Sequence, residues 1–386
     1  MRRLTGAVLG AGLLLTGCST TVQGTPVVDQ SAVPKPDVGS FSTSPRQVGP
    51  LTDVQAVAAE GYRMIATIPL APDIDPAIRY NGKITTGPLS SSTKSTFGEG
   101  VFIALTGAEV AAYTSASDKD PGASTSDPGK TIVMGVYRMK DEAAAKAAVA
   151  APALLAPEKG VTNDDGPRKT PVTVPGHGEA KAFTKKWTSS TSVTAVRAHG
   201  RFVLAAYTSG PVELVQKFFD QQIKGLEGFE PTPTEKFASL PKDHDNLLTY
   251  TVAASSSRDV ALPARAALGE QTDIAASKKN FDEAGVDYVA RGASYVYRAR
   301  DEAGADLLAD RFIAETRGFR KGATESKVKG VPGGRCLTYP SYDGAKTTET
   351  YCVVPVGRYL AELGDTQQAK VEQALGASYL ILQGAK

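Results

Sequence analysis

The sequence predicts an α+β protein built from two duplicated domains, each an antiparallel sheet covered on one face by helices. Three recurrences carry that reading. The stretch Tyr137-Arg138-Met139-Lys140-Asp141-Glu142-Ala143 returns 160 residues later as Tyr297-Arg298-Ala299-Arg300-Asp301-Glu302-Ala303. Val174-Pro175-Gly176 returns as Val331-Pro332-Gly333, and Gly200-Arg201-Phe202 as Gly357-Arg358-Tyr359, both 157 residues on. Anchors repeated in the same order at nearly the same spacing mark an internal duplication.

Each copy gives the same succession of elements. Thr131 to Tyr137 and Ala293 to Tyr297 are strands by their β-branched and aromatic content. Each runs into a helix capped by Asp141 or Asp301, with the following Glu complementing the helix dipole. Pro152 stops the first helix near Ala151, whereas the second runs to about Phe319, with Leu308, Phe312 and Phe319 near helical spacing. Val-Pro-Gly, a strand, and a strand pair joined at His199-Gly200 or Val356-Gly357 come next. The closing helices are Val212 to about Ile223, with Val215, Phe218, Phe219 and Ile223 on one stripe, and Thr366 to Leu382. The unit is thus strand–helix–strand–strand–strand–helix. Alternating prolines in Glu230-Pro231-Thr232-Pro233-Thr234-Glu235 resist both helix and sheet, so 231–235 is a linker between domains at 51–230 and 236–386. Each is long enough to bury about 70% of its unfolded surface without help from a metal.

The 386 residues begin with a targeting segment. A basic Met1-Arg2-Arg3 precedes an uncharged apolar run from Leu4 to Leu15, too short to span a bilayer and right for a secretory signal. It ends in Leu15-Thr16-Gly17-Cys18, whose small residues before a cysteine suit lipoprotein processing. Residues 1–17 are therefore expected to be removed and Cys18 to be acylated, palmitate included, two chains giving stable anchoring. Residues 18–50, with Pro26, Pro34, Pro36, Pro45 and Pro50 among Ser, Thr and Gly, predict a disordered tether. The expected location is the outer face of the plasma membrane, within the cell envelope.

Composition narrows the functional classes. Lys+Arg number 43 and Asp+Glu 41, and loss of Arg2 and Arg3 leaves the two balanced, so nucleic acid is not an expected partner. With Cys18 lipidated, Cys336 and Cys352 remain as an even pair in an oxidising compartment. Asp343-Gly344 midway between them reads as a hairpin turn, and a three-residue loop Asp343-Gly344-Ala345 sets the cysteines opposite each other, close enough for a disulfide. At the 157-residue offset they align with Glu179 and Ala195, which confines the bridge to the second copy.

With the lipobox Leu15-Thr16-Gly17-Cys18, the Tyr137-Arg138…Asp141 junction, the run Phe281-Asp282-Glu283-Ala284-Gly285-Val286-Asp287 through Val289-Ala290-Arg291-Gly292, and Tyr297 to Asp301, the chain resembles uncharacterised two-domain lipoproteins of actinobacteria. The resemblance implies an envelope location and no known activity.

Reaction signatures are sparse. Gly129-Lys130-Thr131 lacks the leading glycine of a phosphate loop and opens a strand, and Asp118-Lys119-Asp120-Pro121-Gly122 lacks the closing glutamate of a calcium loop. His177, His199 and His244 are scattered without ligand spacing, so no metal or other cofactor is expected. Tyrosine is enriched, at 14 against one tryptophan. The pairs Tyr137/Arg138 and Tyr297/Arg298 read most simply as core tyrosines beside arginines paired with carboxylates. Their alternative reading is a ligand site around a pseudo-two-fold cleft, tyrosine stacking and arginine holding an anion or sugar. The expected function is a non-catalytic binding module for an envelope protein or small ligand. A glycan or lipid hydrolase using carboxylates, and a structural or assembly factor, are the alternatives.

Overall fold

The computed structural model describes residues 34–121, 129–157, 168–188, 190–253, 259–342 and 344–385. In the first copy the elements are α1 (Asp53–Ile65), α2 (Ala71–Ile74), β1 (Tyr80–Gly87), α3 (Ser91–Phe97), α4 (Glu99–Ala104), β2 (Ala108–Ser117), β3 (Thr131–Met139), α5 (Glu142–Ala150), β4 (Lys169–Pro171), β5 (Lys181–Lys186), β6 (Thr191–His199), β7 (Phe202–Thr208) and α6 (Val212–Gly225). The second copy runs β8 (Val260–Pro263), α7 (Ala264–Ala267), α8 (Ile274–Ala284), β9 (Tyr288–Arg291), β10 (Tyr295–Arg298), α9 (Glu302–Phe319), β11 (Thr324–Lys327), β12 (Arg335–Pro340), β13 (Thr348–Val356), β14 (Tyr359–Asp365) and α10 (Gln368–Gln383). Two antiparallel seven-stranded sheets result, ordered β1-β2-β3-β7-β6-β5-β4 and β8-β9-β10-β14-β13-β12-β11. The same order in both makes the duplication a topological fact, and the fold is α+β.

Each recurring sequence anchor is a turn or a cap. Asp141 and Asp301 accept the N–H groups of Ala144 and Gly304 at the starts of α5 and α9. In Val174-Pro175-Gly176 and Val331-Pro332-Gly333 the glycines sit at φ 73° and 75°, and the valine carbonyls accept from His177 and Gly334, as a type II turn requires. Arg201 and Arg358 follow the hairpin glycines, and their Nε atoms donate to the carbonyls of Met139 (3.0 Å) and Ala299 (2.9 Å). The turn arginine thus ties the β6–β7 or β13–β14 hairpin to the end of the neighbouring strand.

Several expectations are revised. Each copy has three more strands than the sequence unit contained: β1 and β2, or β8 and β9, before the recurring junction, and the short edge strand β4 or β11. Helices cover both faces of each sheet. On β13, Val353 packs into the core that includes α9, while its neighbours Cys352 and Val354 pack with Val371 and Leu375 of α10. Alternating burial along a strand needs cover on each side. Residues 35–50 are not a loose tether: Arg46 pairs with Asp259 (2.8 Å), its N–H donates to Thr249, Gln373 of α10 donates to Asp37, and Phe41 and Val48 join the second copy's core. The tether expected over 18–33 lies outside the described residues, as does Cys18.

The linker is held as well. The Thr232 N–H donates to Glu60 (2.9 Å), Arg138 reaches the Thr232 carbonyl, and Arg63 donates to the Glu230 carbonyl (3.1 Å). Prolines leave extended backbone groups unpaired by ladder bonds, and side chains of α1 and β3 supply their partners. Across the two copies Arg79 clamps Asp273, Gly82 N–H donates to Gln271, and Tyr80 meets Phe319 edge-on at 6.0 Å. One core cluster runs from Met64, Phe218 and Phe219 of the first copy to Phe281, Leu308 and Phe312 of the second. The face of the first sheet under α6 therefore joins the face of the second under α9. Those are unlike faces, so the copies are not arranged around a like-with-like cleft.

Cys336 and Cys352 are directly paired across β12 and β13, 4.1 Å apart at Cα, and form a disulfide. The ladder ends at Pro340↔Thr348, so the loop is longer than three residues; its Asp343 lies outside the described residues. The counterpart pair in the first copy is Ala182↔Ala195. Cys336 therefore aligns with Ala182, not Glu179, because the first copy's loop after Val-Pro-Gly is three residues longer.

A tyrosine–glutamate pocket in the second copy

The proposed Tyr/Arg pairs do not converge. Tyr137 is fully buried between the sheet and α3, 6.1 Å from Phe97 and edge-on to it, and burial pushes its hydroxyl pKa upward. Arg138 points through the opposite face, 1% exposed, with Nη1 3.1 Å from Glu60 and Nε 3.0 Å from Glu109, and lies over Phe237. Arg298 occupies the matching place, held by Asp287 (2.8 Å) and Asp245 (3.0 Å), over the Tyr288 ring on which His244 stacks. His177 is buried 3.1 Å from Asp220 and next to Arg197. The strand alternation that separates each Tyr from its Arg also rules out a shared site for them. No group of three or more His, Cys, Asp or Glu is placed to hold a metal ion among the described residues.

Tyr297 leads to a cavity through its carboxylate partner. On the α9 face of the second sheet it packs against Phe281 (5.7 Å) and Phe312 (5.1 Å), and its hydroxyl donates to Glu362 on β14. Tyr351 on β13 donates to the same carboxylate. Beside them opens a cavity of about 190 Å³, lined by Glu362, Tyr351, Tyr339 of β12, Phe312, Glu315 and Phe319 of α9, and by Arg320, Gln271 and Thr272. Period-two alternation places Tyr297, Tyr351 and Glu362 on one face, and α9 lays Phe312, Glu315, Thr316 and Phe319 over it at helical spacing.

The electrostatics of this cavity are unusual. Burial, with the charges of Asp273 and Glu362 nearby, pushes the Glu315 carboxyl up to about 7. Burial also pushes Glu362 above the usual carboxylate range, against the pull of the two tyrosine hydroxyls. Tyr297 and Tyr351 are driven well above their ordinary values by burial and the Glu362 charge. Asp273 is spoken for: it caps α8 through the Ala276 N–H and takes Arg79 in a two-pronged pair. Arg320 lies with its guanidinium 5.0 Å from the centre of the Tyr339 ring. Perturbed carboxyls converging on a cavity are the physical marks of a functional site.

The first copy shows what the same face looks like without a cavity. By strand register, Ala205 stands where Glu362 does, Gly135 where Tyr295 does, Thr194 where Tyr351 does and Tyr207 where Gly364 does. Phe97 fills the space against Tyr137 and Tyr113; a Cβ on Gly135 would meet Phe97 at 3.3 Å. A second cavity, about 260 Å³, lies between the copies against α1, β1 and β8. Its charged groups engage one another, Arg291 reaching both Glu270 and the Tyr62 hydroxyl. Neither Glu315 nor Glu362 stands out by local spacing in the sequence. Comparing the copies position by position is the signal that finds them.

No match to a curated protein was found. A family model described as the N-terminal part of a domain of unknown function (DUF7373) matches residues 49–242, and one for its C-terminal part matches residues 242–385. The chain belongs to the DUF7373 family, whose two domains are of unknown function.

Proposed function

We propose that this chain is a lipoprotein of the actinobacterial type, anchored at Cys18 to the outer face of the plasma membrane, and that it is a binding module whose ligand site is the tyrosine–glutamate pocket of the second copy. The anchor rests on the basic start, short apolar run and Leu15-Thr16-Gly17-Cys18. No helix among the described residues is long and apolar enough to cross a membrane. The single observation behind the binding role is a cavity with two pKa-raised glutamates on a face that the first copy closes with apolar packing.

Replacing Cys18 by Ser is expected to move the chain from the membrane to the soluble or secreted fraction and to abolish the mass of the acyl chains. Unchanged retention overturns the anchor. For the pocket, small molecules extracted from the purified full-length chain are compared with those from a Glu315→Gln/Glu362→Gln variant. A species that disappears in the variant supports the site, and identical extracts count against it.

One observation favours the hydrolase reading: a carboxyl titrating near 7 beside a second carboxyl in a cavity has the form of a general acid. Turnover of a glycoside or ester panel, lost in the same variant, replaces the non-catalytic reading with that one.

A further inference from the structure

We propose that the pocket of the second copy takes a small organic cation, an ammonium or quaternary ammonium head group, between its aromatic walls and its two glutamates. The inference deepens the binding role proposed above and rests on it.

The argument begins with charge. Glu362 is held by tyrosine hydroxyls and makes no ion pair among the described residues; nor does Glu315. The nearby cations are committed elsewhere: Arg79 is clamped to Asp273, and Arg320 sits on the Tyr339 ring outside ion-pair reach of either glutamate. Two carboxyl groups therefore line a cavity whose one lining guanidinium, Arg320, pairs with neither of them. Burial favours the protonated form of both carboxyls. A cation bound between them favours the ionised forms instead, and its attraction to them is strong in a low-dielectric setting.

The walls select the kind of cation. A bare divalent ion wants six or more oxygen ligands, and no group of three metal-binding side chains is assembled among the described residues. Phe312, Phe319 and Tyr351 instead offer aromatic surface, which attracts a diffuse organic cation and can desolvate its alkyl groups. About 190 Å³ is smaller than the 300 Å³ or more of drug-sized sites, so it fits a head group. Anions are disfavoured by both carboxylates.

The test is isothermal titration of the full-length chain in detergent with choline, tetramethylammonium and ethanolamine, beside 3,3-dimethylbutan-1-ol, the uncharged isostere of choline. At least one cation is expected to bind, with the isostere at least tenfold weaker. Glu315→Gln and Glu362→Gln are each expected to weaken the cation at least tenfold, with unfolding curves reporting that the variants remain folded. Cation binding should also weaken several-fold from pH 8 to pH 5.5 as Glu315 takes up a proton. The groups facing Glu315 are Glu362 on β14, Asp273 at the start of α8 and Arg79 before β1, with Tyr297, Tyr339 and Tyr351 from the sheet and Arg320 beyond α9. Binding of the isostere as tight as choline, or cation binding unchanged by both variants, overturns the cation proposal while a ligand extracted only from the wild type leaves the binding role standing. No binding by any of the three cations also overturns it; if the wild-type and variant extracts are identical as well, the binding role falls with it.

Discussion

Two sheets with one strand order bury the same face in opposite ways. Under α3–α5 the first sheet presents Tyr137, Val203 and Ala205 to Phe97, and the result is a buried, mainly apolar cluster. Under α9 the second sheet presents Tyr297, Tyr351 and Glu362, and the result is a cavity with a carboxyl on either side. Burying a carboxyl group costs several kcal/mol unless it is well partnered. Because the first copy reaches the same topology without that cost, the acidic cluster is not a folding requirement of this architecture. The duplication thus supplies an internal control for the candidate site. The opposite faces differ too, since Arg138 is itself sealed against the fully buried Glu60 while the partners of Arg298 are open to solvent.

That second contrast gives the largest expected effect. Arg138→Ala removes one of the two arginines that hold the fully buried Glu60, leaving Arg63 and the Thr232 N–H, and removes the contact to the linker carbonyl of Thr232. Removing one member of a buried pair costs about 3–5 kcal/mol, and the retained Arg63 sets the loss here toward about 3 kcal/mol. Arg298→Ala removes contacts to Asp245 and Asp287, whose side chains are 64% and 47% exposed, and is expected to cost about 1 kcal/mol or less. Denaturant unfolding of the full-length variants measures both. Equal losses would show that the two faces are energetically alike despite their different burial.

Next comes the disulfide, which only the second copy has. Opening a loop with a sequence separation of 16 by Cys336→Ala/Cys352→Ala is expected to cost about 3 kcal/mol. The first copy closes the matching strands with Ala182 and Ala195, so the variant sheet has a working precedent. A Pro-rich linker taken alone would predict two separate melting events. The shared core and the clamp between Arg79 and Asp273 instead predict that one transition shifts as a whole. Two resolved transitions in calorimetry, with only one moved by the variant, would show that the copies unfold independently.

What the sequence made legible was local. Asp141, Asp301, the two Val-Pro-Gly turns and the two Gly-Arg turns act within a few residues, so their chemistry shows in the residue types themselves. The cysteine pairing followed from hairpin symmetry, although the three-residue insertion after Gly176 displaced the alignment of Cys336. The early strands were missed because β1 carries glycines at both Gly82 and Gly87 and lacks a clean alternation. Packing of unlike faces is a long-range outcome that no window of residues reports. The pocket was hidden for the same reason: Glu315 belongs to a helix and Glu362 to a strand, and each reads alone as an ordinary charge. A glutamate within Tyr359-Leu360-Ala361-Glu362-Leu363, where the first copy has Ala205, was the available sign.

The smallest expected effect tests whether the second copy's carboxyls carry the cost that the comparison assigns them. In the unfolded chain Glu315 titrates near its ordinary 4.5, and in the folded chain near 7. Between those values the folded state holds a proton that the unfolded state has lost, so this group's contribution to stability is full below about 4.5 and is lost as pH rises through about 7. The loss from pH 5 to pH 8 is on the order of 2 kcal/mol. Glu362 is shifted the same way, whereas Asp287 and Asp301, both lowered through hydrogen bonds to their partners, stabilise the fold as pH rises. The net slope of the wild type therefore mixes opposing groups, and the informative quantity is its difference from Glu315→Gln, whose amide does not titrate. Chemical denaturation at pH 5 and pH 8 should show the variant gaining about 2 kcal/mol relative to the wild type at the higher pH. An identical pH dependence in the two chains would mean that Glu315 is solvated like any surface carboxylate, and the contrast between the closed face and the acidic one would lose its energetic basis.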